Sequence, residues 1–126
     1  MERTVLIVED TDSGVDALEV ALARIPGVSM RIVRTAEEAL DCLGQNHQNI
    51  CAIITDLHLP LMDGFQLIEA VRSQPGRLAL PILVISGDSD QGTPSRLQAL
   101  GTNGYFPKPF SPTEVRKRLE QLIYAS

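Results

Sequence analysis

The sequence predicts a single α/β domain in which helices cover both faces of a parallel sheet. Three short apolar runs, at 5–8, 50–54 and 82–85, are rich in β-branched residues and lack polar alternation, which is typical of strands buried on both faces. Helical stripes of apolar residues follow these runs after short connections. Alternation of this kind favours right-handed crossovers, and therefore a doubly wound sheet.

Two further strands are expected at the edges of the sheet. Residues 29–34 alternate loosely between apolar and polar side chains. Gly104-Tyr105-Phe106 is short and ends at Pro107, which lacks the N–H that an interior strand requires. The chain therefore contains five predicted strands.

Five helices are predicted between and after these strands. The first presents an apolar face at 15–25 with Asp12 as its N-cap, and the second begins with a capping box formed by Thr35 and Glu38. The remaining three carry apolar stripes at 65–71, 97–100 and 115–123. No internal repeat or linker interrupts the pattern, so one domain is expected to fill residues 1–126.

Composition excludes several classes of function. With 126 residues the chain can bury a core without a disulfide or metal. A net charge of −5 disfavours direct binding to nucleic acid or to an anionic membrane. Cys42 and Cys51 have no Cys/His cluster around them, so we expect reduced, buried thiols rather than zinc ligands. The sequence has no secretory signal and no long apolar run, which predicts a cytoplasmic protein that does not enter membranes.

The candidate chemistry lies directly after the strands. Glu9 and Asp10 follow the first strand, Asp56 the third, Ser86 the fourth and Lys108 the fifth. Ligands of open parallel sheets bind outside the carboxyl ends of the strands, where these side chains are expected to meet.

Three carboxylates at one place repel one another, and a hard divalent cation such as Mg²⁺ relieves this repulsion. An aspartate beside such a cation can attack phosphorus and form an aspartyl phosphate. Lys108, one of only two lysines in the chain, would neutralise phosphoryl oxygens.

Four segments together resemble the receiver domain of bacterial two-component response regulators, over essentially the entire chain. They are Val8-Glu9-Asp10, the stretch at 56–64 (DLHLPLMDG), Ser86-Gly87, and the stretch at 105–110 (YFPKPF). The resemblance implies a flavodoxin-like fold with strand order 2-1-3-4-5. It also implies a signalling switch rather than an enzyme with its own substrate. Because the fifth predicted helix ends within a few residues of Ser126, no effector domain is expected within these 126 residues.

The resemblance further implies a role for each site residue. Asp56 would accept a phosphoryl group from a sensor histidine kinase or a histidine phosphotransfer protein. Mg²⁺, or Mn²⁺ in its place, would be held by Glu9, Asp10, Asp56 and the main-chain carbonyl of His58. Lys108 would contact the phosphoryl oxygens through a loop in which its bond to Pro109 is cis.

Output would follow from a movement of Ser86 toward the phosphoryl group and of the Tyr105 ring behind it. This movement would change the face formed by the fourth helix, fifth strand and fifth helix. That face would bind a downstream partner, signal to an effector domain outside the chain, or form a homodimer.

His58 and Asp88 lie two residues after Asp56 and Ser86, respectively. In the family these positions flank the path of the hydrolytic water, so we interpret the pair as tuning dephosphorylation. The alternative is two solvent-exposed loop side chains.

Two other functions compete with a phosphorylatable switch. A receiver-like scaffold that takes no phosphate is disfavoured by the complete set of Asp10, Asp56, Ser86 and Lys108. A phosphohydrolase of the haloacid dehalogenase type needs a second acid two residues after its nucleophile, where this chain has His58.

Overall fold

The computed structural model describes residues 3–44, 49–77, 79–87 and 92–124 and confirms a five-stranded parallel sheet in the order β2-β1-β3-β4-β5. The strands are β1 (Arg3–Val8), β2 (Val28–Val33), β3 (Ile50–Asp56), β4 (Ile82–Ser86) and β5 (Gly104–Pro107). The helices are α1 (Asp12–Leu22), α2 (Ala36–Gly44), α3 (Gly64–Arg72), α4 (Thr93–Ala99) and α5 (Pro112–Ile123).

Both faces of the sheet are covered, which explains the apolar runs without polar alternation. Leu6 and Val8 of β1 belong to a core cluster shared with α2, α3 and α4, whereas Val5 and Ile7 belong to a second cluster shared with α1 and α5. All four side chains are fully buried. Since successive strand residues point to opposite faces, each position at 5–8 in β1 must be apolar.

Strand register brings the carboxyl ends of the strands to one level. Val8 of β1 pairs with Thr55 of β3, and Ser86 of β4 pairs with Pro107 of β5. The residues that follow these strands therefore meet at a single edge, which we call the carboxyl edge. The opposite edge, where helices end and strands begin, is the amino edge.

The helix caps correct one prediction. Thr11, not Asp12, is the N-cap of α1, and its Oγ1 accepts a hydrogen bond from Gly14 N at 3.2 Å. Asp12 is the first helical residue, and its carboxylate pairs with Arg34 at 3.0 Å. Thr and Asp are both favourable N-caps, so residue type alone does not favour Asp12 over Thr11.

The two cysteines differ in burial. Cys42 is buried as predicted, but Cys51 at the start of β3 is only half-buried, so the prediction that it is buried is wrong. Burial still raises the pKa of the Cys51 thiol, an effect that a backbone hydrogen bond and the charge of Arg3 oppose. Within the described ranges, no helix is both long enough and apolar enough to span a bilayer.

Candidate functional site at the carboxyl edge

Three carboxylates and one ammonium converge at the carboxyl edge. Carboxylate oxygens of Glu9, Asp10 and Asp56 lie within 4.8 Å of one another. Lys108 Nζ donates to Asp56 Oδ2 at 2.6 Å and to Glu9 Oε2 at 3.1 Å. The end of β3 and the loops after β1 and β5 therefore assemble the charged group that the positions of these residues in the sequence predict.

Glu9 is fully buried, and both of its carboxylate oxygens have hydrogen-bond donors. Oε1 accepts from the Thr11 amide and from the Thr11 hydroxyl, each at 3.1 Å. Oε2 accepts from Lys108. A buried carboxylate requires such partners, and here they fix the orientation of the Glu9 side chain.

Asp56, at the end of β3, is only 4% exposed. Its Oδ1 accepts a hydrogen bond from the His58 amide at 3.0 Å, while Oδ2 faces Lys108. Gly64 closes the loop beneath it, since a Cβ there would collide with the Asp56 carbonyl oxygen and the Leu57 backbone. The Asp56 carboxylate is thus recessed and held from two sides.

Lys108 is placed by the main chain of the loop after β5. Its amide donates to the Ser86 carbonyl at 2.8 Å, and its peptide bond to Pro109 is cis, as the resemblance implied. Burial alone would lower the pKa of Lys108. The hydrogen bonds and negative charges of Asp56 and Glu9 outweigh this and raise the pKa above its ordinary value of 10.5. Lys108 is therefore an ammonium at neutral pH.

The other predicted site residues that the structure describes differ in burial. Ser86 ends β4 and is fully buried, whereas the His58 side chain is exposed. Tyr105 is half-buried on β5 and packs against the core cluster on the face of α2, α3 and α4. Asp88 lies outside the described residues.

Two residues of the site were not predicted from the sequence. Thr11 binds the Glu9 carboxylate, and Gly14 lies so close that a Cβ there would be 2.5 Å from Glu9 Oε2. An isolated glycine within a helical pattern often marks a close approach, and this signal could have identified Gly14. Beside the site, a cleft of about 430 Å³ opens between α1 and the loop after β5, lined by Thr11, Ser13, Gly14, Ala17, Lys108, Pro109 and Phe110.

Comparison with known proteins agrees with this arrangement. The family model for the response regulator receiver domain matches residues 5–120. The transcriptional regulatory protein GltR of Pseudomonas aeruginosa is 31% identical over 96% of this chain, which covers 49% of that protein. A chemotaxis protein CheY homolog of Campylobacter jejuni is 25% identical, with 94% of this chain and 90% of that protein covered.

Solved structures give the same result for the fold. A response regulator receiver protein from Pseudomonas putida superposes with a TM-score of 0.85 at 29% identity, covering 96% of this chain and 98% of that one. The chain spans about half the length of the first curated relatives that it matches. The match of the family model, together with the parallel sheet and its acidic edge, shows that this chain belongs to the response regulator receiver domain family.

Proposed function

We propose that Asp56 accepts a phosphoryl group from a phosphohistidine, carried by a sensor histidine kinase or a histidine phosphotransfer protein. A carboxylate oxygen of Asp56 attacks phosphorus, so that a P–O bond forms while the P–N bond to the histidine breaks. The imidazole nitrogen leaves with the electron pair and takes a proton from solvent. The single observation that carries the proposal is the recessed Asp56 carboxylate, which lies 2.6 Å from Lys108 Nζ.

Lys108 and the His58 amide prepare the acceptor for this step. The amide holds Oδ1 of Asp56, which limits rotation of the carboxylate, and Lys108 places a positive charge where phosphoryl oxygens arrive. We expect Lys108 to transfer its hydrogen bond from Asp56 to the phosphoryl group. Ser86, buried at the end of β4, would donate to a second phosphoryl oxygen.

The charges of the site fit a divalent cation. When ionised, the carboxylates of Glu9, Asp10 and Asp56 exceed the one ammonium by two negative charges, and Asp10 is exposed to solvent. Glu9, Asp10, Asp56 and the His58 carbonyl would hold Mg²⁺, with Mn²⁺ as a substitute. When bound, the cation offsets the negative charge of the phosphoryl oxygens.

Signal output is the second half of the proposal. Phosphorylation converts the Asp56 carboxylate, which carries one negative charge when ionised, into an acyl phosphate that carries almost two at neutral pH. We propose that Ser86 and Tyr105 respond to this charge and alter the face of α4, β5 and α5. A downstream protein, a second copy of this chain, or an effector domain outside these residues would recognise the altered face. Residues 1–126 would act as one cytoplasmic receiver unit that catalyses only its own phosphotransfer and dephosphorylation.

Intact-protein mass spectrometry tests the acceptor. The chain is incubated with acetyl phosphate, with Mg²⁺ or with EDTA. One phosphoryl adduct is expected with Mg²⁺, none with EDTA, and none in Asp56→Asn. Asp41→Asn is the matched control, because Asp41 is an exposed aspartate on α2.

An adduct that persists in Asp56→Asn would contradict the assignment of the acceptor. Absence of an adduct on the unaltered chain would favour a scaffold, and rapid multiple turnover of small phosphate esters would favour a phosphohydrolase.

The hypothesis for His58 and Asp88 has its own measurement, the rate of acyl-phosphate loss after both are replaced by alanine. An unchanged rate would contradict it.

A further inference from the structure

Gly14 has no backbone reason to be glycine. It occupies the third position of α1, with Thr11 as the N-cap. Among the described residues, the glycines with positive φ are Gly27, Gly76 and Gly101, and Gly14 is not one of them. Glycine within a helix costs about 1 kcal/mol relative to alanine. Some other feature of the molecule must therefore require that position 14 has no side chain.

The Glu9 carboxylate occupies the space that a side chain at position 14 would take. A Cβ at Gly14 would lie 2.5 Å from Oε2, 2.6 Å from Cδ and 2.9 Å from Cγ of Glu9. Atoms at the end of an exposed glutamate would move aside easily. Glu9 is fully buried, and its oxygens are held by Thr11 and Lys108, so displacement would break hydrogen bonds that no solvent can replace.

A continuous series of hydrogen bonds runs from Gly14 to the acceptor. The Gly14 amide donates to Thr11 Oγ1, and the Thr11 hydroxyl donates to Glu9 Oε1. Lys108 then joins Glu9 Oε2 to Asp56 Oδ2. The first turn of α1 is thereby coupled to the position of the Lys108 ammonium.

We propose that Gly14 is a positioning residue for the acidic site, and that Gly14 and Glu9 are a matched pair. The absence of a Cβ at Gly14 allows the long Glu9 side chain to reach Lys108. Without that contact, Lys108 would pair with Asp56 alone, and Glu9 would leave the cluster of carboxylates. The inference rests on the proposed function only for its effect on Mg²⁺, since the displacement itself needs no metal.

The test combines Gly14→Ala with Glu9→Asp. Aspartate is shorter by one methylene, about 1.5 Å, and leaves room for the new Cβ. Gly44→Ala is the matched control, because Gly44 also lies in a helix and a Cβ there meets nothing within 4 Å. Metal-free crystal structures give the distance from Glu9 Oε2 to Lys108 Nζ, and calorimetric titration gives the dissociation constant for Mg²⁺.

In Gly14→Ala we expect the distance between Glu9 Oε2 and Lys108 Nζ to exceed that of an ion pair. The dissociation constant for Mg²⁺ should rise about tenfold, as is common when a residue that orients a metal ligand is altered. Gly44→Ala should change neither quantity. In the Glu9→Asp background, Gly14→Ala should change the dissociation constant by less than about twofold, a rescue that general damage to α1 would not give.

An intact contact between Glu9 and Lys108 in Gly14→Ala would overturn the proposal. An equal loss of Mg²⁺ affinity in both backgrounds would overturn it as well. If Gly14→Ala does not fold, circular dichroism of Glu9→Asp/Gly14→Ala decides, because the proposal requires the double variant to fold. Failure of the unaltered chain to bind Mg²⁺ would count against the proposed function, and the metal-free distances would still decide the role of Gly14.

Discussion

The two edges of the sheet stabilise their charged side chains in different ways. At the amino edge, the Arg72 guanidinium donates to four backbone carbonyls, those of Leu100, Arg77, Leu80 and Gly101, at 2.7–3.2 Å. Arg77 likewise donates to Leu43 at the end of α2. The carbonyls of Leu100 and Gly101 directly follow α4, and that of Leu43 lies in the last turn of α2, where the helix dipole favours a cation. At the carboxyl edge, carboxylates outnumber the ammonium.

The backbone shows the same difference. Among the described residues, the left-handed positions in the turns at the amino edge are Gly27, Gly76 and Gly101. In the loop after β3, at the carboxyl edge, Leu61 has a φ of 67° and a side chain that is 93% exposed. At the amino edge, the arginines have hydrogen-bond partners and the left-handed turn positions are glycines. The carboxyl edge, in contrast, retains excess negative charge and backbone strain at Leu61. Such features persist where function requires them.

The largest expected effect is that of Lys108→Ala. It leaves the buried carboxylates of Glu9 and Asp56 without their ammonium, so the free energy of unfolding in EDTA should fall by about 3 kcal/mol. Mg²⁺ should restore more than half of this loss, because the cation supplies the missing positive charge. Urea unfolding with and without Mg²⁺ measures both. If Mg²⁺ did not restore the free energy of unfolding of this variant, the two edges would not differ in the way described.

Arg72→Ala is the corresponding change at the amino edge. Loss of four hydrogen bonds from a half-exposed guanidinium should lower the free energy of unfolding by about 2 kcal/mol. Mg²⁺ should not reduce this loss, and Arg72→Lys should recover less than half of it, since an ammonium cannot reproduce the planar fork. Restoration of Arg72→Ala by Mg²⁺ would contradict the account.

Leu61→Gly tests the strain in the loop after β3. Relief of the left-handed conformation should raise the free energy of unfolding by about 1 kcal/mol, and exposure of the side chain means that little packing is lost. Gly76→Ala should have the opposite effect, because Gly76 has a φ of 79° and open space around it. Thermal unfolding of both variants compares the edges directly. Destabilisation of the chain by Leu61→Gly would show that the loop stores no such strain.

The smallest effect is the dependence of stability on alkaline pH. A pKa raised in the folded state stabilises the protein fully below the unfolded pKa, here about 10.5, and this contribution is lost as pH rises through the folded pKa. The unaltered chain should therefore lose more stability above pH 10.5 than Lys108→Ala does. Lys117→Ala, which alters the exposed lysine on α5, should behave like the unaltered chain. Identical alkaline slopes for all three would contradict the raised pKa.

Much of this architecture follows from the sequence. Buried β-branched runs identify the strands, and because parallel strands end at a common edge, the residues after them must meet. The details that remained hidden depend on exact side-chain geometry. The hydrogen bonds from Thr11 to Glu9, and the space that the missing Cβ of Gly14 leaves for the Glu9 side chain, depend on how the chain turns between β1 and α1. The role of Arg72 could not be predicted from the sequence, because its hydrogen-bond partners are main-chain carbonyls, which every residue possesses.

The central prediction is that the carboxyl edge binds a divalent cation and the amino edge does not. Titration of ¹⁵N-labelled protein with Mg²⁺, followed by amide NMR, tests it most directly. The account predicts saturable shifts at Asp10, His58 and Lys108, while the amides of Leu100 and Gly101 stay unchanged. Saturable shifts at the amino edge of the same size, or none at the carboxyl edge, would contradict it.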